Sequence, residues 1–142
     1  MSRLSLVVFA LCLLVATAPG RAAEGFQIVV HRANPATTLT RDQVSKMFLK
    51  KIARWGDGQA VSPVDQRSTS PVRARFSTAI HRKDASAVLA YWNQMIFSGR
   101  DVPPPERASD AAVIAFVRAN PGAIGYVTAA TAEVKVVDVV EN

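Results

Sequence analysis

The 142-residue sequence has one cysteine, two histidines and no apolar run of bilayer-spanning length. Each shortage excludes something. A lone cysteine, Cys12, cannot build the cross-linked framework of a small disulfide scaffold. His31 and His81 have no neighbouring pattern of Cys, His or carboxylate residues at metal-ligand spacing, so no metal centre is expected, and both read as surface or strand-end histidines. No G-x-S-x-G occurs, and spacing alone assembles no Ser–His–acid set. "GDG" at 56–58 is a turn and not a glycine-rich phosphate cradle. Asp57, Glu106 and Asp110 read as turn and helix-start residues, which leaves no paired acids for hydrolysis. The expectation is a protein without enzymatic activity and without a cofactor. A basic stripe interleaved with aromatic residues is also missing, which counts against a nucleic-acid partner.

What is present begins with "MSRLSLVVFALCLLVATAPGRAAEG". A basic start at Arg3, an apolar run from Leu4 to about Ala16 and small residues up to Ala22 have the layout of a secretory signal peptide. The run of about 13 residues falls short of the about 20 that a spanning helix needs. Cys12 follows Leu11 and not a small residue, so lipid attachment there is not expected. Cleavage after Ala22 divides the chain into residues 1–22, the signal peptide, and residues 23–142, a single domain, with a bacterial periplasm as the compartment. Those 120 residues contain no cysteine and must be held by their core. That is feasible, because a domain near this size buries about two thirds of its unfolded surface. Loss of Arg3 and Arg21 lowers the 17 basic residues to 15 against 11 acids, a net charge of about +4 that favours anionic partners.

Strands and helices are expected to alternate. "FQIVVH" (26–31) reads as a strand closed by Asn34-Pro35. Thr40 with Gln43 forms a capping-box pattern ahead of a helix whose apolar face is Val44, Met47, Phe48 and Ile52. "VSPVDQ" (61–66) reads as a strand kept near an edge or bend by Pro63. Ser70 caps a helix with Pro71 at its first position, where a missing N–H does least harm, and Val72, Phe76, Ala79 and Ile80 bury it. A third helix from Asp84 or Ser86 turns Val88, Leu89, Trp92, Met95 and Ile96 inward. "SGRDVPPPERASD" is an extended loop, and Ser109 caps a fourth helix through about Ala119. "AIGYV" and "VKVVDVV" are the last strands. This order implies an α/β lobe with a central mixed or mostly parallel sheet flanked by helices. Trp92 is expected in the core, and Trp55 is expected to pack its loop onto the first helix.

The chemically suggestive stretch is "RSTSPVRARF", Arg67 to Phe76. A helix start carries unpaired N–H groups and partial positive charge, so Arg73 and Arg75 there should each cost about 0.3–1 kcal/mol when exposed. Asp65 offsets one cation. A bound anion would account for the rest, held by free N–H groups, by Ser68, Thr69 and Ser70, and by a guanidinium. Arg67 and Ser70 are the stronger candidates. Arg73 and Arg75 are two residues apart and cannot face one ligand together. The competing reading makes Ser70 a cap alone and leaves the arginines solvated on the outer face.

Two longer motifs carry a resemblance. "IVVHRANPATTLTRDQVSKMFLKKIARW" (28–55) and "NPGAIGYV" (120–127) resemble, in order, segments of phosphate-specific periplasmic solute-binding proteins. The resemblance implies a periplasmic-binding-protein-like lobe, phosphate or a related oxyanion as ligand, and a membrane permease or a second protein lobe as partner. In that family two lobes close over phosphate, and an "SGT"-type turn at a helix start supplies donors together with an upstream arginine. Here Ser70 matches the serine and Arg67 stands for the arginine at shortened spacing. Pro71 and Val72 replace the glycine and threonine, which removes one N–H and one hydroxyl. Asn34 and Gly122 belong to fold-defining turns. The 120 residues suffice for about one lobe, so an open, wet site with few donors should bind weakly. The resemblance therefore implies a short, single-lobe form that binds an oxyanion at Arg67, Ser68, Thr69 and Ser70. The alternative is a protein-interaction module that keeps the lobe and lacks the ligand.

Overall fold

The computed structural model describes residues 25–142. The signal peptide expected over residues 1–22 lies outside them. Seven strands and four helices follow in the order β1 (Gln27–Val30), β2 (Thr38–Thr40), α1 (Arg41–Phe48), β3 (Ser62–Pro63), β4 (Asp65–Gln66), α2 (Pro71–Phe76), α3 (Ala85–Phe97), β5 (Glu106–Arg107), α4 (Asp110–Ala119), β6 (Ala123–Val127) and β7 (Lys135–Val140). α2 runs directly into a π-helical turn, Ser77–His81. The main sheet has the order β2-β7-β1-β6-β3, and β4 with β5 forms a separate two-stranded ribbon.

The sheet is mixed. β1 lies antiparallel to both β6 and β7, while β2–β7 and β3–β6 are parallel pairs. A central strand must be apolar on both faces, and the QIVV of β1 is. Ile28 and Val30 point into one core with Phe48, Phe76, Tyr126 and Val137, and Val29 points into another with Val64, Val113, Val117 and Val127. Register places Val29 opposite Gly125. A Cβ on Gly125 would lie 2.8 Å from Val113 and 3.0 Å from Val64, so α4 rides close on the sheet where a side chain is missing.

Helix starts follow their caps. Thr40 Oγ1 accepts from the Gln43 amide at 3.1 Å, and Gln43 Oε1 accepts from the Thr40 amide at 2.9 Å, which completes the capping box. Asp84 and Ser109 cap α3 and α4 by accepting from Ala87 and Ala112. Trp92 is 2% exposed, and Trp55 is buried with its indole N–H donating to the Gly122 carbonyl at 2.9 Å.

Three expectations need correcting. Residues 61–66 are not one strand: Ser62–Pro63 pairs with β6, and Asp65–Gln66 leaves the sheet to pair with β5 inside the proline-rich loop. The ladder to β6 runs on through the Val64 amide, which donates to the Ile124 carbonyl at 2.9 Å, and the Asp65 amide then turns to the Pro105 carbonyl at 2.9 Å. α3 does not bury the face its apolar pattern suggests. Val88 and Trp92 are inside, Met95 is half-buried, and Leu89 and Ile96 are exposed, as is Phe97 beyond them. His81 is no surface or strand-end residue: it sits half-buried at the end of the π-helical turn with Nδ1 2.8 Å from Ser45 Oγ.

Candidate functional site

Departure of β4 from the main sheet builds the site. The Arg67 amide donates to the Arg107 carbonyl at 3.0 Å, extending the β4–β5 ribbon by one bond. The Ser70 amide then donates to the Arg67 carbonyl at 2.9 Å, closing a turn over residues 67–70 that delivers the chain into α2. Pro71 occupies the first helical position, as expected. Arg67, Ser68 and Thr69 are exposed, and Ser70 is half-buried.

All four residues singled out from the sequence thus share one turn. Ser70 occupies the N-cap position, but its hydroxyl accepts no bond from the helix. That distinguishes it from Thr40, Asp84 and Ser109, whose side chains all seal their first turns. Among the described residues, the side chains of Arg67, Ser68, Thr69 and Ser70 make no hydrogen bond or ion pair. The turn therefore presents three hydroxyls and a guanidinium with no internal partner, a set able to donate to an acceptor-rich anion.

The other two arginines are explained by the fold. Arg73 turns inward, with a side chain only 10% exposed. Its Nη1 donates to Glu106 Oε1 at 2.5 Å and to the Gln66 carbonyl at 3.0 Å, and its Nη2 lies 3.6 Å from Asp65 Oδ2. The Tyr126 hydroxyl donates to Asp65 Oδ1 and accepts from the Gln66 amide at 3.1 Å. Gln66 Nε2 donates to Asp110 Oδ1 at 2.7 Å, and Asp110 Oδ2 accepts from the Thr128 amide at 3.0 Å. Asp110 is thus a helix-start residue that also ties α4 to β4. Arg75 Nε reaches back to the Gly25 carbonyl at 3.3 Å. Arg73 is paired with carboxylates and Arg75 bonds a backbone carbonyl, whereas the Arg67 side chain has no partner among the described residues.

The network beneath the turn is buried and polar. Burial pushes the Asp65 carboxyl above its usual range, against the opposing pull of Arg73 and the Tyr126 hydroxyl. Burial and the Asp65 charge push the Tyr126 phenol upward. The attraction of Asp65 and Glu106 outweighs burial for Arg73 and holds it cationic. Phe76 stacks on Tyr126 at 3.9 Å between ring centroids with the planes 6° apart, fixing α2 over the network. Sequence spacing offers Asp65 as a partner for one arginine but gives no sign of Tyr126, which comes from β6, or of Glu106, which the β4–β5 pairing brings in. The arrangement holds no nucleophile beside a base. Among the described residues, no three His, Cys, Asp or Glu side chains gather to hold a metal, and no helix is long and apolar enough to cross a membrane.

Comparison with known proteins fits this architecture. The model of the PBP superfamily domain matches residues 22–141. An ABC-type phosphate transport receptor from Vibrio cholerae superposes with a TM-score of 0.64 at 22% identity, covering 81% of this chain and 46% of its own. A protein from Clostridium perfringens, assigned as a phosphate ABC transporter substrate-binding protein and solved with phosphate bound, gives 0.64 at 21% identity, covering 81% and 44%. PstS from Borrelia burgdorferi gives 0.53 at 12% identity, covering 80% and 46%. The chain spans about half the length of these structures, and at such identities the likeness is one of fold. No curated protein matches the chain.

Proposed function

Because the chain belongs to the PBP superfamily domain family, we propose that residues 23–142 form a single solute-binding lobe that takes phosphate or a related oxyanion at the turn Arg67–Ser70. The observation that carries this reading is the unspent donor set: Ser70 sits where a cap should be yet caps nothing, beside Ser68, Thr69 and an Arg67 without a carboxylate. In the proposed complex the three hydroxyls donate to the anion's oxygens, and the Arg67 guanidinium offsets its charge through a planar fork. Arg73 is no ligand; it anchors the turn from below.

Affinity is weak in this reading. The turn is exposed, and charged contacts in high dielectric lose most of their strength: two unit charges 4 Å apart are worth about 1 kcal/mol in water. Pro71 supplies no first-turn N–H and Val72 no hydroxyl at the places where the resembling family has glycine and threonine. The role is binding and not catalysis, exercised in the periplasm after removal of the signal peptide, with a permease or a second lobe as the protein partner.

Titration calorimetry with inorganic phosphate at low ionic strength tests the assignment. Saturable heat that disappears in an Arg67→Ala, Ser70→Ala double variant is the expected result, and absence of heat from the unaltered protein contradicts it. One observation favours a second reading, a ligand-free interaction module. α3 leaves Leu89 55%, Ile96 50% and Phe97 96% exposed, an apolar stripe of the kind that marks protein contacts. Absence of phosphate heat together with concentration-dependent association would decide for that module.

A further inference from the structure

A second concentration of positive charge lies away from the turn. α1, the segment that follows it, the π-helical turn and the first half of α3 enclose a cleft of about 200 Å³. Its lining contains Arg41, Lys46, Lys51 and Lys83 against one acid, Asp42. Two of these cations are matched: Lys46 Nζ lies 2.6 Å from Asp42 Oδ2, and Arg41 Nε lies 3.5 Å from Glu141 Oε2. Lys51 and Lys83 have no carboxylate within ion-pair distance among the described residues. Lys51 instead sits 5.6 Å from the centre of the Tyr91 ring. The less exposed wall is uncharged, formed by Ser45 hydrogen-bonded to His81.

Both ammonium groups are exposed and solvated, and without a carboxylate beside them they leave the cleft with an excess of positive charge that favours a small anion. The field they create is registered by His81, whose imidazole is held at about 4, first by burial and then by Lys83, Arg73, Arg41 and Lys51. The histidine is therefore neutral near pH 7 and adds no competing cation. The cleft is smaller than the about 300–1,000 Å³ of pockets for drug-sized molecules, which restricts its occupant to a small one.

We propose that this cleft is a second anion site, which takes a small dianion of the phosphate class between Lys51 and Lys83 with Ser45 and His81 as its neutral wall. Lysine suits the task as a compact point charge for phosphate oxygens. The site is independent of the reading given for residues 67–70: either stands if the other falls.

The test follows the His81 ring signals by NMR in the full protein during titration with inorganic phosphate, with sodium chloride at matched ionic strength as the screening control. Lys51→Gln with Lys83→Gln removes the two charges at exposed positions where folding is not at stake. The expected result is a saturable His81 shift and a rise in its pKa on adding phosphate. Apparent affinity should fall at least tenfold in the double lysine variant and stay unchanged in Arg67→Ala, Ser70→Ala. A His81 response no larger than that to chloride overturns the proposal. So does a saturable response that survives loss of both lysines, or one abolished by the changes at residues 67 and 70.

Discussion

Replacing Arg73 by methionine isolates the contribution of the buried network beneath the turn at residues 67–70. The guanidinium is 10% exposed and contacts Asp65, Glu106 and the Gln66 carbonyl. Methionine keeps much of the volume and removes the charge. Asp65, with a side chain 8% exposed, is then left with the Tyr126 hydroxyl as its remaining side-chain partner. Removing one member of a buried pair costs about 3–5 kcal/mol, because the other charge stays buried without compensation. Against a typical total of about 5–15 kcal/mol this is a large fraction of the stability. Glu106, 47% exposed, contributes little, and Glu106→Gln should cost under about 1 kcal/mol.

The assay is urea unfolding followed by tryptophan fluorescence, with a second arm in which Asp65→Asn is combined with Arg73→Met. Neutralising the orphaned carboxyl should recover at least about 2 kcal/mol, a coupling of the size that contacting residues show. The sign of the pH effect follows from Asp65, whose folded pKa lies above its unfolded value. Its contribution is fully present below the unfolded pKa and is lost as pH rises through the folded one. Removal of Arg73 raises that folded pKa further, so the penalty of Arg73→Met should be greatest at neutral pH and shrink on acidification. A cost below about 1 kcal/mol, or no recovery in the double variant, refutes the reasoning.

The caps give a sharper contrast. Ser109→Ala and Thr40→Ala should each cost about 1 kcal/mol, as N-cap losses do, whereas Ser70→Ala should leave the urea midpoint within experimental error because its hydroxyl seals nothing. Equal losses at all three positions would show that Ser70 caps α2 in solution. His81, at about 4 when folded against 6.5 when free, contributes stability that is fully present above pH 6.5 and disappears as pH falls towards 4. The difference amounts to at most roughly 3 kcal/mol. His81→Gln should flatten the pH dependence of stability across that window, and an unchanged slope would show that the imidazole titrates normally.

Much of the fold was legible because it rests on local signals. The capping box at Thr40–Gln43, Pro71 behind Ser70, Asp84, Ser109 and the apolar QIVV and AIGYV runs each specify their own element. What escaped depends on long-range pairing. β4 and β5 are two residues each and exist only because they find one another. Sequence alone lets Asp65 offset one of the three cations without saying which, and the Glu106 contact that helps hold Arg73 inward depends on the β4–β5 pairing. α3 misleads for the opposite reason. Its pattern is apolar on a broad face, yet the lobe covers only Val88 and Trp92 fully. The turn 67–70 was readable as a group, since four neighbouring residues stay neighbours in any fold. Which hydroxyl would be left uncapped was not.

The central claim is that this turn receives an oxyanion, and backbone amide mapping by NMR during titration with inorganic phosphate at low ionic strength tests it most directly. The account predicts saturable shifts at the amides of Ser68, Thr69, Ser70 and Val72, absent in Arg67→Ala, Ser70→Ala. Amides at these four positions that stay still while phosphate is raised to tens of millimolar would contradict it.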